Sequence, residues 1–252
     1  MHKHIRKLIV DAAYHAGHGH IPSALSIVDI LVALDSIKTN DDEFILSKGH
    51  GCLALYAYLA SKDKISVDEL RSFGKKGSRL GGHPDRNKID DVYASTGSLG
   101  HGLPIAVGAA LARKIMNKPG LIYCLIGDGE SNEGTIWESL MLATKHNLNN
   151  LICIVDNNKS QTRSLPITNL LDKVKSFGCT ALQIDGHDID DLKQSLQYNK
   201  TNNPLVIIAD TVKGKGVKDI ENDMFDICIR SLRKVSDCKI VVYTVKLENE
   251  EL

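Results

Sequence analysis

Four short, continuously apolar runs in the second half of the chain constrain its fold more than any other feature. LIYCLI (121–126), LICIVD (151–156), CTALQI (179–184) and PLVIIAD (204–210) are β-branched and aliphatic, the composition of strands buried on both faces. Between them lie EGTIWESLMLATKH, LLDKVKSFG and DIDDLKQSLQY, each with apolar residues at helical spacing. Strands alternating with helices in this way predict an α/β fold, a parallel sheet with helices on both faces. The right-handed βαβ connection then brings the carboxyl ends of such strands to one edge.

The first half reads as mostly helical. Helical periods run near 3–16, 26–37, 51–60, 66–74 and 99–117, separated by loops rich in Gly, His and Asp. No repeat, low-complexity tract or linker interrupts the 252 residues, so the expectation is one domain over 1–252. It is helix-rich to about 117, has a βα sheet core over about 118–212, and ends in a terminal extension over about 217–252. Within that extension KIVVYTV (239–245) is a candidate further strand.

Composition narrows the function classes. The 31 Lys+Arg balance the 31 Asp+Glu, which argues against a broad nucleic-acid footprint. No apolar run approaches the ~20 residues of a bilayer span, and the opening MHKHIRKLIVDAAYH is amphipathic without a signal-peptide core. A soluble, cytoplasmic protein is expected, with no membrane partner. The six cysteines (Cys52, Cys124, Cys153, Cys179, Cys228, Cys238) form no CxxC, so reduced thiols and no structural zinc are expected. A nucleotide-binding module would need a P-loop or GxGxxG; the Gly97–Gly102 segment has no P-loop lysine and does not directly follow a strand. Histidine is skewed: eight of ten lie between His2 and His101, several beside glycine.

The chemistry concentrates in GDGESNEGTIWESLMLATKHNLNNLICIVDNNKS, residues 127–160. Asp128 follows one expected strand and Asn158 the next, with a single loop and helix between them. Both therefore reach the carboxyl edge, where open α/β sheets bind ligands, although another strand can lie between them. A carboxylate, an amide oxygen and a nearby backbone carbonyl make a hard oxygen site for Mg2+ or Ca2+. Gly127 and Gly129 let the backbone approach a bulky anion closely. A tight strand–loop turn is the plainer reading of GDG alone; the Asn pair one βαβ unit later favours a cofactor site.

This pattern resembles that of the thiamine diphosphate enzymes, in which GDG and a later Asn hold a divalent metal on the cofactor's diphosphate. Asp128 and Asn158 would then be metal ligands, with the Ser160 main-chain carbonyl as a third. Ahead of it stand GHIPS (19–23), SKGHG (47–51), GHP (82–84) and TGSLGHG (96–102), and TVKGKG (211–216) follows. That succession is similar to the N-terminal part of transketolase over roughly residues 5–220. The resemblance implies a thiamine diphosphate-binding fold. It implies that His20 and His83 contact the sugar substrate, and that His50 faces the cofactor's diphosphate. Gly97, Leu99 and Gly100 would pack around the cofactor, and Glu133 would join a carboxylate network at a subunit interface. His2, His4, His15 and His18 have no counterpart and read as helix-face or loop residues. His101 stands where many transketolases have Gln. His187, in DGHD, reads as a turn residue before a helix capped by Asp188, with ligand contact as the alternative. Lys213 and Lys215 face either phosphate or solvent.

In transketolases the cofactor is an electron sink for a two-carbon unit moved from a ketose to an aldose, and the protein positions it and shuttles protons. Full-length members continue into a pyrimidine domain, which supplies the cofactor-activating glutamate, and then a third domain. This chain has no candidate for that glutamate. The resemblance therefore implies a split enzyme, with a companion subunit bearing the pyrimidine-binding and C-terminal domains in an α2β2 assembly. The sugar or sugar-phosphate substrates are open, because the late histidine usual after TVKGKG is missing and Trp137 is the sole Trp. Two alternatives remain. Another thiamine diphosphate-dependent synthase or 2-oxo-acid decarboxylase component is disfavoured by the SKGH and His-Pro series. A non-catalytic partner retaining the fold is disfavoured by the intact set of Asp128, Asn158, His20, His50 and His83.

Overall fold

All four apolar runs fold as strands, and a fifth joins them. The computed structural model describes residues 1–163, 165–198, 202–218, 220–221, 232–234 and 240–242. The main sheet consists of β1 (Glu43–Leu46), β2 (Ile122–Gly127), β3 (Leu151–Asn157), β4 (Thr180–Asp185) and β5 (Leu205–Asp210). Its order is β1-β2-β3-β5-β4, with every pairing parallel. The strand β1 lies in a half read as helical. Its four residues are too few for a period to register, and only pairing with β2 identifies it.

The helices are α1 (His2–Ala16), α2 (Ile21–Leu25), α3 (Val28–Ile37), α4 (Cys52–Ser61), α5 (Val67–Leu70), α6 (Gly102–Ile115), α7 (Gly134–Lys145), α8 (Leu170–Ser176) and α9 (Ile189–Leu196). The expected helix at 66–74 shortens to α5, which Ser66 caps by accepting from the Glu69 N–H. The expected 26–37 helix is preceded by the separate turn of helix α2, with Pro22 near its start, where a missing N–H costs nothing. Asp188 caps α9 as expected, accepting from the N–H groups of Asp190 and Asp191.

Alternation along each strand divides the core in two. Tyr123, Leu125, Ile152, Ile154, Leu205 and Ile207 face one side with the buried residues of α1–α5 and α9. Ile122, Cys124, Ile126, Cys153, Val155 and Val206 face the other, against α6, α7 and α8. This period of two sandwiches the sheet between helical layers, which explains why the central strands β2, β3 and β5 are apolar nearly throughout, while β4 at the sheet edge is only partly covered. Among the described residues Cys52, Cys124, Cys153 and Cys179 are free and buried; Cys228 and Cys238 lie outside the described residues. No helix among the described residues is long and apolar enough to cross a membrane.

The expected strand at 239–245 is present in part, as β7 (Ile240–Val242), but it does not extend the sheet. It pairs antiparallel with β6 (Leu232–Lys234) in a separate two-stranded unit. The remainder of the expected extension past Glu221 lies outside the described residues.

What matters for the site is the register. β2 and β3 are direct neighbours, with Gly127 opposite Asp156. Asp128 and Asn158 thus emerge side by side at the carboxyl edge, with no strand between them.

Candidate active site

Ser160 contacts both of the other residues expected to ligate a metal. Ser160 Oγ donates to Asp128 Oδ1 at 2.9 Å, and the Ser160 N–H donates to Asn158 Oδ1 at 3.1 Å. Asp128 is 1% exposed and Asn158 6%. Burial pushes the Asp128 carboxyl above its ordinary range, and the nearby Asp156 adds to the rise against opposing hydrogen bonds from Ser160 and Gly129. A divalent cation would reverse that rise. Among the described residues no three His, Cys, Asp or Glu side chains are arranged to hold a metal. The donors that fit one here are a carboxylate, an amide oxygen and a carbonyl, the chemistry of a hard cation that takes its remaining ligands from phosphate and water.

The Asn158 amide is oriented by a residue the sequence reading passed over. Asp156 ends the apolar run of β3 and is fully buried. Its Oδ2 accepts from Asn158 Nδ2 at 2.8 Å, which leaves Asn158 Oδ1 turned toward the Ser160 N–H. Ser26 Oγ at 2.8 Å and Lys48 Nζ at 2.5 Å donate to the same oxygen, and Thr211 Oγ1 donates to Oδ1. A carboxylate closing an apolar strand was the signal for it, because a buried charge needs a partner.

Glu130, within the GDG motif segment, is a second buried carboxylate. It accepts from Ser47 Oγ at 2.5 Å, the Gly100 N–H at 2.8 Å and the Gly127 N–H at 3.1 Å. Burial raises its pKa, with those hydrogen bonds opposing. Glu133, the carboxylate singled out from the sequence, is exposed at the start of α7. Gly100 lies against it at φ +78°, where a Cβ would come within 2.6 Å of Glu133 Cβ, so only glycine fits.

Three histidine loops converge through backbone as much as through side chains. The rings of His20 and His50 meet edge to face with centroids 5.5 Å apart. A Cβ on Gly49 would lie 3.0 Å from Gly97 N, and one on Gly97 would lie 3.1 Å from His83 Cγ. His20, His50, Gly97 and His83 therefore form one continuous cluster. Tyr56 Oη lies 2.9 Å from the His83 carbonyl oxygen and 3.1 Å from that of Gly81, tying the GHP loop to α4. His20 and His83 are exposed and His50 half-buried, so these rings can reach a ligand from outside. Leu99 and Gly129 are half-buried and Gly127 buried along the same edge. His101 is exposed, its Nδ1 2.9 Å from the Leu99 carbonyl oxygen.

His187 is more than a turn residue. Its Nδ1 lies 2.7 Å from Asp29 Oδ2, and its Nε2 accepts from the Val212 N–H at 2.8 Å. Burial acts to raise the Asp29 pKa, but hydrogen bonds from His187 and Arg6 outweigh it and hold the carboxyl below its ordinary value. Lys213 is 4% exposed, which excludes the solvated alternative for that lysine.

The family model of the transketolase thiamine diphosphate binding domain matches residues 1–225. The 6-deoxy-6-sulfo-D-fructose transketolase subunit SqwG of Clostridium sp. is 38% identical over 237 residues, covering 87% of this chain and 86% of that protein. An apulose-4-phosphate transketolase subunit of Actinobacillus succinogenes is 39% identical over 232 residues, covering 86% of this chain and 84% of that one. The solved transketolase of Campylobacter jejuni superposes with a TM-score of 0.83 at 31% identity, covering 89% of this chain but 39% of its own. The chain thus spans most of the length of relatives named as subunits, and about two fifths of that solved transketolase. With its sheet, its motif order and these matches in agreement, the chain belongs to the transketolase family, whose N-terminal thiamine diphosphate-binding domain it matches.

Proposed function

We propose that this protein is a cytoplasmic transketolase subunit, one domain over 1–252, that holds thiamine diphosphate through Mg2+ or Ca2+. Asp128, Asn158 and the Ser160 main-chain carbonyl ligate the metal. His50 faces the diphosphate, and Gly97, Leu99, Gly100, Gly127 and Gly129 give the cofactor close backbone approach. When bound, thiamine diphosphate supplies the electron sink that lets the bond between carbons two and three of a ketose break. His20 and His83 bind the sugar and exchange protons with its hydroxyl or carbonyl oxygens, as imidazoles do near neutral pH. Glu133, exposed at the start of α7, joins a carboxylate network with the companion subunit.

The observation that carries this reading is the oxygen cluster at the ends of β2 and β3. A buried carboxylate with a raised pKa and an amide oxygen turned away from Asp156 both meet Ser160. The companion follows from the two relatives named as subunits, which this chain matches over 86% and 84% of their lengths. It would bring the pyrimidine-binding and C-terminal domains in an α2β2 assembly. The neighbouring helices α6 and α7 both begin at the site and leave the large apolar side chains Ile105, Met141 and Leu142 exposed, which supports docking of a companion on this side. The transferred unit is a two-carbon ketol from a ketose or ketose phosphate to an aldose.

Calorimetric titration of thiamine diphosphate with and without Mg2+ tests the cofactor assignment. Binding should require the metal and fall on the order of a hundredfold or more in Asp128→Ala/Asn158→Ala, because both anchoring oxygens are gone. Equal binding by wild type and double variant would refute it.

A further inference from the structure

His187 lies outside the motif set, yet it is fixed at both ring nitrogens. A backbone N–H can only donate, so the Val212 N–H at 2.8 Å requires an unprotonated Nε2. The ring proton therefore sits on Nδ1 and is donated to Asp29 Oδ2 at 2.7 Å. The same Asp29 oxygen takes Arg6 Nη2 at 2.6 Å, and Arg6 Nε donates to the Lys215 carbonyl oxygen at 3.0 Å. A row of three side chains, from α1, α3 and the turn before α9, thus grips the 211–216 loop at Val212 and at Lys215.

That loop touches both halves of the site. At one end Thr211 Oγ1 donates to Asp156, which orients the Asn158 amide. In its middle the Gly214 N–H donates to the Pro22 carbonyl oxygen at 3.1 Å, two residues from His20. Gly214 can do so only at φ +81°, where a Cβ would lie 2.8 Å from the Ile220 carbonyl carbon. Lys213, buried between the two grips, is carried by the same segment.

We propose that His187 is a positioning residue. As the neutral Nδ1–H tautomer it latches the 211–216 loop, and the latched loop sets Asn158 on the metal side against His20 on the substrate side. The proposal rests on the reading of Asn158 and His20 as site residues given above.

Three variants separate a latch from a residue that merely fills space. A Gln amide reaches as far as Nε2 and can accept the Val212 N–H. An Asn amide reaches only as far as Nδ1, so it can donate to Asp29 but cannot hold the loop. Ala does neither. Two readouts are taken: amide hydrogen exchange resolved at Val212 in the 252-residue chain, and the Kd for thiamine diphosphate in saturating Mg2+ with the companion subunit present.

The latch predicts exchange at Val212 faster on the order of tenfold in His187→Ala and His187→Asn, the effect of one lost hydrogen bond at a partly buried donor. The Kd should rise by a similar factor in both, while His187→Gln stays within about threefold of wild type on either readout. Rescue by Asn in place of Gln would overturn the proposal, as would unchanged exchange in the Ala variant. Faster exchange in Ala with an unmoved Kd would also overturn it, since the loop would then not govern the site. Should wild type bind no cofactor even with the companion subunit present, the functional assignment fails, and the exchange pattern alone decides whether His187 latches the loop.

Discussion

Replacing Lys48 by methionine removes one charge from the middle of the site while keeping most of the side-chain volume. Lys48 is 1% exposed and Asp156 0%, and the ammonium lies 2.5 Å from Asp156 Oδ2 and 3.1 Å from the Ser23 carbonyl oxygen. Breaking such a pair leaves a buried carboxylate without its counter-charge, which typically costs about 3–5 kcal/mol. Asp156 would keep three neutral donors, Ser26, Asn158 and Thr211, which places the loss near the lower end, about 3 kcal/mol. For a chain of this size each kcal/mol lowers Tm by roughly 2–4 °C, so the variant should melt about 6–12 °C below wild type. Thermal unfolding followed by circular dichroism measures this for wild type, Lys48→Met, Asp156→Asn and the double variant. If the charge pair is the cause, the double variant should recover a large part of the Lys48→Met loss, because no unpaired carboxylate remains. A single-variant shift under about 2 °C, or strict additivity in the double, would show that the pair does not hold this edge together.

Two further outcomes follow from single residues. Asp29 is held below its ordinary pKa, so the unfolded chain takes up its proton first, and Asp29 adds stability above the unfolded value of about 3.9. That contribution is lost as pH falls through the lower, folded value. Melts between pH 5 and 2 should therefore show Asp29→Asn less stable than wild type at the upper end and converging with it at the lower; a gap that widens on acidification would reverse the sign. Gly100→Ala puts a methyl within 2.6 Å of Glu133 Cβ at a positive φ, which should cost about 1–3 kcal/mol in denaturant unfolding and weaken cofactor binding. Wild-type stability and affinity in that variant would mean the loop can move away from Glu133 without consequence.

The parts of the fold that were legible are those with a period or a fixed chemistry. The runs over 121–126 and 204–210 announce β2 and β5 because a strand covered on both faces must be apolar throughout. The helix after Glu133 and the cap at Asp188 are local signals read within a few residues. What stayed hidden was pairing. The four residues of β1 carry no period, and the order β2-β3-β5-β4 depends on packing between segments far apart in the chain. His187 does sit in the turn before α9 that DGHD describes, but its partners Asp29 and Val212 lie 158 and 25 residues away and leave no local signal. Glu130 and Asp156 were visible as letters, but their burial depends on which loops fold over the sheet edge.

Those two carboxylates explain how sequence-distant loops form one site. Glu130 binds Ser47 and the backbone of Gly100 and Gly127, so it fastens the SKGHG and TGSLGHG segments to the end of β2. Asp156 binds Ser26, Lys48, Thr211 and Asn158, fastening the region after α2, the SKGHG segment and the 211–216 loop to the end of β3. Lys48 and Ser47 are consecutive, so the SKGHG segment is tied to both carboxylates and fixes the spacing between them. Apolar packing alone could not set that spacing, because it is non-directional, whereas a buried carboxylate requires donors at defined distances and angles. The metal-side oxygens and the histidine cluster are therefore positioned by the same two buried charges. A change at either carboxylate should disturb Asp128–Asn158 geometry and the placement of His50 together, and an effect confined to one of them would contradict the shared anchoring.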